Sequence, residues 1–553
     1  MTISRLKTLL VTTKLLLVLS APGCGPGAAA NSDSDLDADS DTDADSDTDS
    51  DTDDDTDPGP QGRMLIITTE ALRAVAEEYR TYRESTRYVV QLVTTAELTA
   101  DGAGLAKAIQ ETIRDFAESG EPELEPFVLL IGDADFRYDN NPEFIPVVRG
   151  LEFEVGDSPY ADLNGDNIPD LNLGRLPFRE PELVAAYLDR VREHEAVHRP
   201  GAWNKILHLF AGEGGFGEEI DSTLEMVAGW VVDDMSYDFD ITGTYASPNS
   251  LHHLPYGAWD RNYADQYRAG APAMIYVGHT LSDVPGCRDE APPRRGLLAF
   301  FSCGDGSYQD GGDWDPYQSL AEDMLIREHG PVATLAGSSG THPYPNAIMP
   351  REIGHALLDL REPTYGQLIR RAKYNTVHRI DDLRRTIDAA AVIYVTEPLE
   401  QLIRSHLTLY NLLGDPAVPT LLPPGRVDLD APTGSAIRGQ TLRVGGRVWR
   451  NDGNTPMAAG DVIISLEIQR SLILDEQALL NVDGTEDVYL HNHTVANDKI
   501  VVQAAGSLSN GRFEVELLVP EDLVLPYRAK FFLKAYAKND DVDAVGSREI
   551  EIE

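Results

Sequence analysis

From Met64 onward, short apolar runs alternate with longer amphipathic stretches, and this alternation restricts the fold more than any other feature. The runs fall at 64–67, 88–93, 127–131, 206–210, 273–277, 297–301 and 332–336. The clearest helix candidates are 70–79, 102–118, 181–196, 317–329 and 350–359. Apolar strands separated by helices predict a parallel sheet covered on both faces. Ligand sites in such sheets collect beyond the carboxyl ends of strands. The pattern predicts α/β units at 61–195 and 196–424, which could equally form one continuous domain. After Leu421, Leu422, Pro423 and Pro424 the texture changes. Residues 441–449, 462–468, 500–503, 512–518 and 529–537 are β-patterned, Gly, Asn and Asp separate them, and helix signals are weak. Residues 425–553 therefore read as a β-sandwich of immunoglobulin-like size in an accessory role, without the cysteine pair of antibody domains.

The amino terminus is of another kind. Arg5, Lys7 and Lys14 precede an apolar run at 15–19 and the small residues Ala21, Pro22, Gly23 and Cys24. Basic residues, a brief apolar core and small residues describe an export signal over 1–24. The run is too short to span about 30 Å of bilayer as a helix. Ending at Gly23 and Cys24, it resembles a bacterial lipoprotein signal with Cys24 as the lipidated residue; plain secretion is the alternative. Residues 25–60 follow as a tether, and 32–58 hold 14 aspartates and no base. Self-repulsion and the lack of apolar side chains prevent packing there. A spacer outside the cytoplasm is the stronger reading, with loose calcium binding the weaker. Beyond residue 60 the chain still carries 78 acidic against 43 basic side chains, so it lacks the basic stripe a nucleic acid needs. Three cysteines exclude a disulfide scaffold.

Chemistry concentrates after two of the apolar runs. Gly278 and His279 follow one, and Ser302, Cys303 and Gly304 follow another. If the strands are neighbours, thiol and imidazole meet across one crevice. A thiol needs a base or positive surroundings to become a good nucleophile, and imidazole can also protonate a leaving amine. Gly278 and Gly304 would admit a substrate backbone, and amides around Gly278 and Cys303 could stabilise an oxyanion. The plainer readings are a buried inert thiol and an ordinary core or surface histidine. Cys287 reads as a free loop thiol. Ser338, after the 332–336 run, and Trp314 are pocket candidates, and His342 reads as a satisfied loop histidine. Asp162, Asn164, Asp166 and Asp170 offer oxygens at loop spacing with Gly165 at the turn, which suits calcium or a hydrogen-bonded turn. Asp133 and Asp135 are further strand-end acids. His194, Glu195 and His198 match the zinc-peptidase pattern H-E-x-x-H, but they close a charged helix before Arg199, Pro200 and Gly201. A solvated helix end is preferred there to a zinc site.

The pairing of His279 with Cys303 after consecutive strands resembles the gingipain-type cysteine peptidases, within the caspase-like fold group. Three further segments carry the likeness: Asp157 to Leu171, the Gly174-Arg175-Leu176-Pro177 turn, and Asn411-Leu412-Leu413-Gly414-Asp415-Pro416-Ala417. The resemblance spans about residues 61–424. It implies a caspase-like catalytic region followed by an immunoglobulin-like module. It also implies an exported enzyme, surface-anchored or secreted, that hydrolyses peptide bonds. Cys303 would be the nucleophile and His279 the acid/base, with no cofactor for the chemistry and calcium as a structural ion. Protein or peptide substrates follow; a membrane would be met only through the lipid, and nucleic acid not at all. Asp166 is a conceivable recogniser of a basic side chain. One departure stands out: Thr280 follows His279 where these peptidases usually have glycine. The rival readings are a non-catalytic surface adhesion protein that keeps the fold, and a zinc peptidase using His194, Glu195 and His198.

Overall fold

The structure is a computed structural model. It describes residues 59–553 except 99–103, 135–139, 150–154, 197–198, 216, 249, 282, 285–290, 310–318, 431–435 and 481–483. The export signal, Cys24 and all but the end of the tether lie outside the described residues, as do Asp135, His198, Cys287 and Trp314. No described helix is long and apolar enough to cross a membrane.

Ten strands form one sheet. Its order is β2 (Tyr88–Thr94), β1 (Gly62–Thr68), β3 (Pro126–Ile131), β6 (Asn172–Leu176), β12 (Tyr410–Gly414), β11 (Ala333–Gly337), β10 (Arg295–Phe301), β9 (Ala271–Val277), β7 (Ile206–Ala211) and β8 (Asp240–Tyr245). The two-residue strands β4 (Val148–Arg149) and β5 (Val155–Gly156) pair separately. β1 shows why both faces must be covered. Leu65 and Ile67 pack with Leu105, Ile109 and Ile113 of one helix, while Met64 and Ile66 belong to the cluster that includes Val75, Ala76 and Tyr79 of another. The 61–195 and 196–424 stretches thus share one sheet.

The join sets where the site can be. β12 runs parallel to β6 but antiparallel to β11, with Ala333 opposite Gly414 and Gly337 opposite Tyr410. Every other pairing in the sheet is parallel. The two halves of the sheet therefore point in opposite directions. The carboxyl ends of β9, β10 and β11 share an edge with the amino end of β6, and the carboxyl end of β3 lies at the other edge. Gly174 and Arg175 correct the expected turn, for both are inside β6. The fully buried Arg175 guanidinium is satisfied by Asp157 at 2.7 Å and by the carbonyls of Gly132 and Ile145.

Among the described residues, the carboxyl-terminal module has seven strands. They are β13 (Gly425–Leu429), β14 (Thr441–Trp449), β15 (Ala459–Ile468), β16 (Ile500–Ser509), β17 (Arg512–Leu518), β18 (Phe531–Lys538) and β19 (Asp543–Ile550). Hydrogen bonding closes round the ring β13-β14-β17-β16-β15-β18-β19. One helix, Glu486–Asn497, departs from the weak helix signals there, and Asn497 bonds both main-chain groups of Gly243 on edge strand β8. Arg470 anchors the module more firmly. Its guanidinium donates to the carbonyls of Val232, Met235, Ser236 and Phe239 at 2.6–2.9 Å. A cation on the last carbonyls of the helix Glu218–Asp234 also complements the helix dipole.

Glu322 gives a pH test of the core. It is buried at the start of the helix Leu320–Ile326, where it accepts the Ser319 amide at 2.7 Å in a capping box. Burial, against the pull of the Ser319 hydroxyl, pushes its carboxyl up to about 8 from an ordinary 4.5. The folded state then keeps a proton that the unfolded chain gives up, so this group's contribution to stability falls between about pH 4.5 and 8 and is flat above. Glu322→Gln keeps the cap and removes that slope. Its Tm relative to the parent protein is expected to be higher at pH 9 than at pH 5, by thermal unfolding at both.

Candidate active site

Strands β9 and β10 are hydrogen-bonded neighbours in one-for-one register, with Phe300 opposite Tyr276 and Phe301 opposite Val277. The next residues therefore leave the sheet side by side: Gly278 with Ser302, and His279 with Cys303. The Gly278 amide continues the ladder by donating to the Phe301 carbonyl at 3.2 Å. Both His279 and Cys303 line one cleft of about 1220 Å³ at this edge.

Several contacts hold the end of β10. The Cys303 Sγ accepts the Thr341 amide at 3.3 Å and lies 3.6 Å from the Thr341 hydroxyl. Thr341 is held in turn by Asn346, which accepts the Tyr410 hydroxyl at 2.6 Å. Gly304 has φ +73°, a left-handed conformation that favours glycine, and this turns the chain immediately after Cys303. Asp305 bridges the two strand ends. Its carboxylate accepts the Ser302 hydroxyl and, at 3.4 Å, the Leu281 amide. Burial lifts it to about 6, against those two donors.

The His279 ring is exposed, and its Nε2 stands 2.7 Å from the Gly214 carbonyl. A carbonyl can only accept, so Nε2 carries the proton and Nδ1 is the basic nitrogen of the neutral ring. The Tyr276 hydroxyl donates to the His279 carbonyl at 2.8 Å. A Cβ on Gly278 would come within 2.4 Å of that hydroxyl, so the missing side chain makes room for Tyr276. Thr280, where the family pattern has glycine, donates its hydroxyl to the Cys303 carbonyl at 2.5 Å and ties the two strand ends together.

Other candidates sit elsewhere. The Gly278 amide is taken by the Phe301 carbonyl, so it is not the free oxyanion donor the sequence suggested, although Gly278 does line the cleft; the Gly304 amide is taken by the Ser339 carbonyl. Ser338 is buried, with its hydroxyl on the Leu409 carbonyl at 3.1 Å, because β11 pairs with β12 there. It does not line the cleft. Asp133 follows β3 at the far edge and pairs with Arg179. His342 caps the helix Pro343–Gly354 by accepting the Tyr344 amide at 3.1 Å.

The 162–170 loop lies at the site's edge of the sheet, before β6. Asp162 accepts the amides of Gly165 and Asn167, Asn164 that of Asp166, Asp166 that of Ile168, and Asp170 that of Leu163, all at 2.8–2.9 Å. Asp166 is thus part of a closed turn, outside the cleft lining. Among the described residues no three His, Cys, Asp or Glu side chains gather as metal ligands. His194 is buried with Nε2 3.0 Å from the Pro419 carbonyl, and burial lowers it to about 3. Glu195 pairs with Arg83 at 2.9 Å and accepts the Tyr82 hydroxyl at 2.7 Å. Both have structural partners, so the expected solvated helix end is instead packed.

A family model for peptidase family C25 matches residues 57–421. The chain belongs to that family. It is accordingly a cysteine peptidase, with proteins or peptides as its substrates. No curated protein matches the chain. Among solved structures it is similar to the Arg specific cysteine proteinase gingipain R, at 14% identity and TM-score 0.47, covering 89% of this chain and 98% of that one. It is also similar to the complex of Porphyromonas gingivalis RgpB pro- and mature domains, at 13% identity and TM-score 0.47, covering 89% and 100%. The pieces that sequence reasoning missed in this C25 site are Thr341, Asp305 and Gly214. Only Asp305, two residues beyond Cys303, had a local signal.

Proposed function

We propose that this C25 peptidase is an endopeptidase whose nucleophile is Cys303 and whose acid/base is His279. The register of β9 and β10, which sets the two residues side by side in one cleft, carries the reading. His279 takes the thiol proton as Cys303 Sγ bonds to the peptide carbonyl carbon. It returns that proton to the leaving amine as the C–N bond breaks and a thioester forms. His279 then deprotonates water, which attacks the thioester, and the thiol is restored. The Cys303 amide is the oxyanion donor we assign. The Gly214 carbonyl fixes the tautomer that this proton traffic needs.

The same proposal places the enzyme outside the cytoplasm, either secreted or held at the outer membrane or cell surface by lipid on Cys24. Its support is the basic–apolar–small pattern of residues 1–24 followed by the acidic tract. The catalytic region is read as caspase-like on the paired strand-end Cys and His. The carboxyl-terminal module is read as immunoglobulin-like on its strand order, with β13 pairing antiparallel to β14 and parallel to β19. Calcium in the 162–170 loop is proposed from the oxygen-bearing residues Asp162, Asn164, Asp166 and Asp170 with Gly165 at the turn.

Alkylation by iodoacetamide, mapped by mass spectrometry, tests the dyad. Cys303 is expected to react before Cys287, and His279→Ala to slow it severalfold. Reaction at Cys303 no faster in the parent protein than in His279→Ala would remove the dyad. Melting in calcium against chelator reads the loop, with a rise in Tm expected and no change counting against the ion.

A further inference from the structure

The cleft at Cys303 has walls of one character. The helix Glu218–Asp234 contributes Leu224, Val227 and Ala228, the helix Pro343–Gly354 contributes Ala347, and β7 and β8 supply Leu209 and Tyr245 beneath. Leu209, Val227 and Tyr245 are buried. Among the described residues no lysine or arginine lines the cleft; Glu213, Asp221 and Glu225 are the acids described there, and Glu213 is exposed. A second cavity of about 880 Å³ shares Leu224, Val227 and Ala347 with the first and continues beyond them. The apolar lining beside the catalytic pair therefore continues from the one opening into the other.

The wall is also rigidly founded. The carboxyl end of the helix Glu218–Asp234 is fixed by Arg470, which lies stacked 4.1 Å from the Tyr237 ring, and Tyr237 stacks on Phe532 at 3.5 Å. The β module thus supports the helix that lines the cleft. A pocket with a fixed wall selects by size, because a side chain that overfills it has nowhere to go.

We propose that this cleft is the specificity pocket of the enzyme and takes a large apolar side chain, leucine, methionine or phenylalanine, flanking the scissile bond. The inference rests on Cys303 and His279 being the catalytic pair. Apolar walls reward burial of such a side chain in proportion to its area. A guanidinium or ammonium laid on the same walls loses its hydration and is repaid only if a carboxylate reaches it. Glu213, Asp221 and Glu225 are the lining acids on which a basic preference would depend.

The test digests a proteome-derived peptide library with the full chain and reads cleavage sites by mass spectrometry, beside Cys303→Ala, Ala228→Phe, Ala347→Phe and Glu225→Gln. The parent protein is expected to enrich leucine, methionine or phenylalanine at one position next to the cut. Ala228→Phe fills the pocket, and the ratio of kcat/KM for phenylalanine over alanine peptides is expected to fall about tenfold or more. Ala347→Phe, from the opposite wall, should shift the ratio the same way, and melting curves show that both fold. Cys303-dependent cleavage beside arginine or lysine, whether or not Glu225→Gln abolishes it, overturns the pocket but leaves the nucleophile standing. A ratio unmoved in both folded phenylalanine variants does the same. Cleavage that is absent, or that survives in Cys303→Ala, overturns the nucleophile and this proposal with it.

Discussion

Cys303→Ala is expected to lower kcat/KM on a cleavable peptide by about 10⁴-fold or more while the thermal transition stays where it was. The first half follows from chemistry: alanine offers no atom to form the acyl-enzyme, and what remains is binding and whatever oxyanion stabilisation the cleft supplies. The second half follows from geometry. The thiol is partly buried, and its contacts are the long ones to Thr341, at 3.3 Å to the amide and 3.6 Å to the hydroxyl. Sulfur is a weak hydrogen-bond partner, so little folding energy leaves with it. His279→Ala should fall by a similar factor. The double variant should be no worse than either single one, because in the proposed mechanism the two groups act as a unit. Peptide kinetics on the three purified proteins, each with a melting curve, decide it. Full proteolysis by folded Cys303→Ala would move the chemistry away from this cleft.

What could be read from the sequence depended on how local the information was. Strands β1, β3, β9, β10 and β11 announce themselves as apolar runs because each is buried on both faces. The placement of His279 and Cys303 at strand ends follows from where those runs stop. β6 was invisible in that way, since Asn172 and Arg175 sit inside it, each buried and hydrogen-bonded to distant partners. The reversal of the sheet at β12 was equally hidden. It depends on β11 pairing with a strand more than 70 residues later in the chain, across an intervening group of helices. That reversal separates Asp133 from the site and brings the 162–170 loop to it, and no local pattern could sort those acids. Thr341 reaches Cys303 through the β10–β11 adjacency, so it too lacked a local signal. Thr280 was different. Its departure from the family pattern was visible at once, but its hydroxyl bond to the Cys303 carbonyl needed the neighbouring strand. The helix Glu486–Asn497 did have a start signal, Thr485 followed by Glu486 and Asp487. It was outweighed by the β texture on either side.

Asp415→Ala is expected to cost about 3–5 kcal/mol of stability, the largest effect on folding among the substitutions considered. Asp415 is fully buried; it accepts from Arg83 Nε at 2.7 Å, from the Tyr79 hydroxyl at 2.7 Å and from the Ala417 amide at 2.8 Å, and forms an ion pair with Arg83 Nη2 at 2.5 Å. Its own amide donates to the Tyr187 hydroxyl at 2.8 Å. These bonds knit the helices Arg73–Ser85 and Pro181–Ala196 to the turn that leaves β12. Removing the carboxylate leaves a guanidinium 1% exposed with Glu195 as its remaining acid, in a site too closed for water to replace the lost oxygens. Asp415→Asn should recover only part of the loss, because the amide keeps one acceptor but no charge. Removing both charges, as Arg83→Met with Asp415→Leu, should be far less damaging than the single changes add up to, since neither ion is then left alone. Urea unfolding of the four proteins measures the coupling; additive losses would show that Arg83 and Asp415 do not depend on each other. The same cluster accounts for the H-E-x-x-H letters. Glu195 is held against Arg83 and Tyr82, and His194 against the Pro419 carbonyl, so added zinc should leave the Tm of the parent protein unchanged.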